Sequence, residues 1–257
     1  MRLPFNLNLK WLPVAGAVLL ATAGAGALAA GCDAQSGQMI APVIELYTSQ
    51  GCSSCPPADR WLSALRSDGA GADRPVIQAF HVAYWDYIGW TDPFAHTAHT
   101  QRQRQIAQWN QLRSIYTPQV VANGRDWRNW HQAGTSVPRA TQRSSVTITL
   151  RQRDKDAFEA TVSLEEQVVP AWAAYWTVTE SAHQTSVRAG ENSGELLRND
   201  HVVRQYTPAG TYRSAPTAPQ TLVLHTIPAS PGHARTVNLV VFDPRNGKTL
   251  QALASAC

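Results

Sequence analysis

Two cysteines three positions apart, Cys52 and Cys55, enclose Ser53-Ser54. They lie between the apolar run Val43-Ile44-Glu45-Leu46-Tyr47 and the segment Pro56-Pro57-Ala58-Asp59-Arg60-Trp61-Leu62. Thiols at this spacing can close a disulfide on each other. A strand that feeds such a turn into a helix sets a sulfur near unpaired backbone N–H groups, which favour the thiolate. The pattern points to thiol–disulfide exchange, with Cys52 exposed as the attacking thiol and Cys55 as the resolving one. Two other readings remain open: a static structural disulfide, and a copper or zinc site completed by His81. Pro56 and Pro57 weigh against strong activation. A residue before proline is pushed away from helical angles, so Pro57 is expected as the first helical residue, with Cys52 farther from the helix dipole.

Other residues could serve the same chemistry. Thr117-Pro118 precedes an apolar strand, and an X-Pro bond is either an ordinary trans link or a cis one that offers the Thr117 backbone to a substrate chain. Five of the nine tryptophans, Trp85, Trp90, Trp109, Trp127 and Trp130, crowd one stretch. Core packing accounts for at least half of them, and Trp90 and Trp127 are the candidates for a substrate-binding groove. His81, His96 and His99 lack a second Cys-x-x-Cys or a close His pair to complete a four-ligand set. No metal ligands are assigned, and no cofactor is expected.

The elements that must position these residues follow from periodicity. Val43–Tyr47 reads as a buried strand, 58–65 as a short helix with Trp61, Leu62 and Leu65 on one face, and 75–84 as a second strand parallel to the first. A turn-rich stretch follows at 85–94, then a polar helix over about 95–112, then a strand ending at Asn123-Gly124. Beyond Ser144 the pattern changes to β-prone runs at 146–150, 157–164, 173–179, 221–226 and 237–242, with a hairpin turn at Asp243-Pro244-Arg245-Asn246-Gly247. Residues 145–257 are read as a β-rich antiparallel module packed on the first domain.

Residues 1–30 carry Arg2 and Lys10 ahead of an uncharged apolar stretch, Trp11 to Ala30, and are read as an export signal. Ala27-Leu28-Ala29 offers a cleavage site. Leu28-Ala29-Ala30-Gly31-Cys32 offers the alternative of a lipoprotein anchored through Cys32, and a retained anchor is disfavoured by Gly24 and Gly26. The expected product is periplasmic or secreted, with no stable membrane span in the mature chain. Export turns four cysteines into two disulfides, so pairing Cys52 with Cys55 leaves Cys32 and Cys257 for a structural disulfide joining the chain ends. Removing Arg2 and Lys10 lowers the formal net charge from +4 to about +2, which excludes a nucleic-acid footprint. The expected partners are cysteine-containing envelope or secreted proteins and a redox partner that recycles Cys52/Cys55.

The runs Glu45 to Asp59, Phe80-His81-Val82 with Tyr84-Trp85-Asp86, Gly89-Trp90, Asp92-Pro93-Phe94, Gln101-Arg102-Gln103 and Tyr116-Thr117-Pro118-Gln119 resemble the exported DUF1223 family. The likeness is dense over 42–124. It extends thinly to Gly190-Glu191-Asn192-Ser193-Gly194, a run without assigned chemistry, and to 199–204. The resemblance implies an α/β thioredoxin-like domain over 38–140 followed by the β-rich module, α+β overall, with Thr117-Pro118 in the place of that fold's cis-proline. It implies an activity only by analogy. In such an arrangement a buried carboxylate behind the thiols takes the proton of the resolving cysteine, and Glu45 is the candidate beside a purely structural role. Ala83 stands where an acidic residue is expected, which removes a proton-handling group from that position.

Overall fold

The computed structural model describes residues 1, 3–4, 32–65, 74–138, 141–165, 169–215 and 218–256. Cys257 and nearly all of the expected export signal lie outside them. In chain order the elements are β1 (Ala34–Gln35), β2 (Val43–Thr48), α1 (Pro56–Ala64), β3 (Val76–His81), α2 (Thr97–Trp109), β4 (Gln119–Ala122), β5 (Arg125–Asp126), β6 (Val146–Asp154) and β7 (Ala157–Leu164). They continue with β8 (Ala171–Glu180), β9 (His183–Ser186), β10 (Leu196–Asn199), β11 (Val202–Arg213), β12 (Gln220–His225), β13 (Arg235–Phe242) and β14 (Thr249–Ala256).

Eight strands form one mixed sheet in the order β14-β13-β8-β11-β3-β2-β4-β5. The βαβ unit expected at its centre is present: β2 and β3 are parallel, with Thr48 opposite His81, and α1 connects them. Every β2 residue is buried, as befits a strand covered on both faces. Side chains alternate across it. Ile44 and Leu46 join Ala58, Trp61 and Leu62 of α1 on one face, while Tyr47 joins Phe80 and Ile106 of α2 on the other. The α1 side of the same sheet is covered farther along by a four-stranded sheet, β1-β6-β7-β12. Its Ile148, Phe158 and Leu222 pack on Trp172, Trp176 and Leu239 of β8 and β13.

The expected fold class is corrected by this topology. The chain is mostly β, and its first half is not a thioredoxin-like α/β unit. The strands β2 to β5 have no sheet of their own. The free edge of buried β3 is taken by β11, where Val202 pairs with Ala79 and the Ala79 N–H donates to the His201 carbonyl at 2.8 Å. An unpaired edge on so apolar a strand would leave donors and acceptors unsatisfied, and the second half supplies the partner. The long strand β11 escapes sequence reading because Pro208 and Gly210 interrupt it. Bulges between Val203 and Gln205 and between Pro208 and Gly210 absorb the irregularity.

The 3₁₀ turn Ala83–Ile88 fills the turn-rich stretch after β3. The hairpin between β13 and β14 turns at Asp243 to Gly247 as expected. Ser255 Oγ donates to the Cys32 carbonyl at 2.8 Å, which places the end of β14 beside Cys32. Among the described residues no helix is long and apolar enough to cross a membrane.

Candidate functional site

Cys52 and Cys55 are joined in a disulfide. The turn that holds them is built from the chain itself: the Cys52 N–H donates to the Ser49 carbonyl, the Cys55 N–H to the Cys52 carbonyl, and the Ala58 and Asp59 N–H groups to the Cys55 carbonyl. Helix α1 begins at Pro56, one residue earlier than the proline rule predicts, because Cys55 adopts helical angles (φ −78°, ψ −37°) as its N-cap. The disulfide therefore lies directly at the helix start, where N–H groups are unpaired. Trp85 closes one side: a Cβ on Gly51 would come within 3.2 Å of the Trp85 Cβ. The Trp85 indole N–H donates to Thr117 Oγ1 at 2.7 Å, which ties the half-buried Thr117-Pro118 loop to the cysteine turn. The Thr117-Pro118 bond is cis.

Both cysteines have 0% exposed surface, so the expected exposure of Cys52 is corrected; only Ser53 and Ser54 face solvent. The segment 190–194, for which the sequence offered no chemistry, is bonded to the backbone of the cysteine turn. Asn192 Nδ2 donates to the Gln50 carbonyl at 2.9 Å and to the Cys52 carbonyl at 3.0 Å, and Glu191 Oε2 accepts from the Ser53 N–H at 2.9 Å. Gln50 answers from below, donating to Thr185 Oγ1 and Asn199 Oδ1 and accepting from the Trp90 indole. Gly190, in the left-handed region at φ +75°, lies against Trp90, where a Cβ would sit 3.2 Å from the Trp90 Cβ. Trp90 thus supports this segment. Trp127 belongs to the α1 core, edge-on to Trp61 at 5.8 Å.

Three buried ionisable groups, Asp59, His81 and Asp92, lie on the α1 side of the sheet. Asp59 stands four residues after Cys55, on the same helix face, and accepts from Thr48 Oγ1 at 3.1 Å. Burial drives its carboxyl up to about 6, against the opposing pull of His81. His81, opposite Thr48 in the register, holds Asp92 with Nδ1 to Oδ2 at 2.7 Å. Burial pulls His81 down, but the Asp92 charge and hydrogen bond outweigh it and hold the imidazole above its ordinary range. Burial likewise works to raise Asp92. The His81 charge and hydrogen bonds from His81 and from the Gln50 and Phe94 N–H groups overcome it and keep that carboxyl low. The Nε2 of His81 is buried with no hydrogen-bond partner among the described residues. A groove of about 480 Å³ runs between α1 and β10 past this group, lined among others by Ser53, Pro56, Asp59, Arg60, Glu195 and Arg198.

Glu45 points the other way. It lies on the α2 face, gripped by Arg102 Nε at 3.0 Å and Nη2 at 2.6 Å, and it accepts from Tyr47 at 2.6 Å and Tyr175 at 3.1 Å. Glu45, the carboxylate expected behind the thiols, thus faces α2, whereas the cysteine turn opens α1 on the other face. The signal for Asp59 was its i+4 spacing from Cys55 on α1. His99, on α2, donates from Nδ1 to the His81 carbonyl at 2.9 Å, and burial lowers it to about 4. Among the described residues no cluster of three or more His, Cys, Asp or Glu is arranged to hold a metal ion.

These features define a mixed-sheet protein with a buried Cys-x-x-Cys disulfide at the start of a helix that carries a buried carboxyl. The chain belongs to the family described as a protein of unknown function, DUF1223, which it matches over residues 43–242. No curated protein matches it. The crystal structure of protein AGR_C_4864 from Agrobacterium tumefaciens is similar at 20% identity, covering 86% of this chain and 96% of that one with a TM-score of 0.57. HBP35 of Porphyromonas gingivalis is similar at 12% identity, covering 86% of this chain and 76% of that one with a TM-score of 0.54. At these identities the two likenesses speak to the fold alone.

Proposed function

We propose that this chain is an exported thiol–disulfide oxidoreductase acting on cysteine-containing envelope or secreted proteins through Cys52 and Cys55. A substrate thiolate attacks Cys52 Sγ, the Cys52–Cys55 bond breaks, and Cys55 Sγ leaves with the electron pair and takes up a proton. A second thiolate of the substrate then attacks the substrate sulfur of the mixed disulfide and releases Cys52. Two electrons pass from the substrate dithiol to the protein, and a redox partner restores the disulfide.

The observation that carries this reading is Asp59: a buried carboxyl at about 6, on the helix face of Cys55 and bordering a solvent groove. A group whose proton is held near neutral pH beside a leaving sulfur is suited to general acid–base work. A permanent disulfide gains nothing from it. Asp59, in place of Glu45, gives its proton to Cys55 and regains one through the groove. Thr117 and Pro118 border the turn through Trp85 and form the flank on which a substrate chain would rest.

The complete burial of both cysteines favours a second reading, in which the disulfide is permanent and the β-rich half binds a partner. The reduction potential separates the two. Equilibration with glutathione should give a value in the range of exchange enzymes, whereas one below about −300 mV marks a structural bond. For Asp59, the rate of exchange with a dithiol peptide should inflect near pH 6 in the wild-type chain and lose that inflection in Asp59→Asn. Superimposable profiles would remove Asp59 from the mechanism.

A further inference from the structure

The hairpin formed by β9 and β10 differs from every other strand pair among the described residues. It is a two-stranded sheet of its own, with no ladder to either larger sheet, and a hairpin of two short strands is marginal by itself. Its base is flanked by two non-glycine residues in the left-handed region, Ala182 at φ 63° and His201 at φ 55°. These joints are cross-linked, the Ala182 N–H donating to Asp200 Oδ1 at 2.7 Å and the His201 N–H to Ser181 Oγ at 3.1 Å. Its tip carries Glu191 and Asn192. The bonds from the tip to the cysteine turn are all polar, made by one carboxylate and one amide to the Ser53 N–H and the Gln50 and Cys52 carbonyls, and Thr185 and Asn199 in the strands add two more from the Gln50 amide. Once the tip is lifted, water takes over these bonds, so breaking them has a small net cost.

We propose that residues 182–201 form a hinged lid, latched by Glu191 and Asn192 over the Cys52–Cys55 disulfide, and that thiol attack requires the lid to lift. The proposal rests on the exchange reading and explains how a disulfide with no exposed surface is reached. Lifting frees one backbone donor and two backbone acceptors at the turn. Those are the groups that an extended substrate chain pairs with.

The test uses the oxidised full chain and a small phosphine reductant, with reduction of Cys52 and Cys55 followed by alkylation and peptide mass mapping. The double variant Glu191→Ala/Asn192→Ala should be reduced about tenfold faster than wild type, equivalent to about 1.4 kcal/mol in the opening step. An unchanged rate in a variant whose β8–β11 ladder keeps its amide-exchange protection would overturn the lid. If the variant fails to fold, amide exchange in the wild type decides. The β9–β10 amides should exchange far faster than those of β8 and β11, and equal protection would refute a hinged element. Faster reduction without exchange on a protein dithiol would leave the lid standing and remove the exchange reading alone.

Discussion

The same sheet carries two buried ionisable clusters on opposite faces, and they are finished to different degrees. On the α2 face, both Glu45 oxygens are occupied by the Arg102 fork and two tyrosine hydroxyls, and the guanidinium lies 3.9 Å from the Tyr175 ring centroid. On the α1 face, Asp59 has one hydroxyl donor and borders a groove, and His81 Nε2 has no hydrogen-bond partner among the described residues. A cluster with all its valences satisfied holds its charges fixed and serves the fold. One that leaves a carboxyl balanced near neutral pH retains a proton to exchange, at a cost in stability. The difference separates the carboxylate that anchors β2 to α2 from the one placed beside the cysteines.

The contrast is sharpest when each cluster is broken. Arg102→Ala strands a buried Glu45 carboxylate and should cost about 3–5 kcal/mol in urea unfolding. The pH profile of disulfide exchange at a temperature where the variant stays folded should be unaltered. A shifted profile would show that the two faces are coupled.

Asp59→Asn should act in the opposite direction. The folded chain holds this proton up to about pH 6, while the unfolded chain loses it near the ordinary aspartate value. Between the two values the native state binds more protons, so stability falls as pH rises through that window. Removing the charge should stabilise the protein at pH 7 by up to about 3 kcal/mol, the equivalent of a shift of about two units. The slope between about pH 4 and 6 should flatten. A loss of stability at pH 7 would mean that Asp59 is as fully compensated as Glu45.

Asp92→Asn should have the smallest effect, about 2 kcal/mol, set by one charged hydrogen bond. Because Asp92 raises His81, the contribution of the pair is fully present below the unfolded histidine value and is lost as pH rises through the higher folded one. The variant should therefore be penalised more at pH 5 than at pH 9 in thermal unfolding. An equal penalty would assign the loss to the Gln50 and Phe94 N–H bonds instead of to the imidazole.

Local regularity explains what could be read from the chain before folding. Cys52 and Cys55 are three apart, so their bond is a property of the turn. The β2-α1-β3 unit and most second-half strands follow from apolar periodicity within a few residues. The partner of β3, the facing of Glu45 and the contact on Cys52 were not legible in the same way. Each depends on residues more than fifty positions away: Val202 for Ala79, Arg102 for Glu45, Asn192 for Cys52. The break-up of β11 by Pro208 and Gly210 hid the strand that merges the two halves.

By itself, then, the sequence determined a Cys-x-x-Cys turn at the head of a helix, because spacing and helix polarity act within one segment. Only the tertiary structure decided which carboxylate shares the α1 side of the sheet with that turn and that a hairpin from the far half is bonded to it. Burial, and the raised proton affinity that burial imposes on Asp59, come into being only when distant strands close around the site.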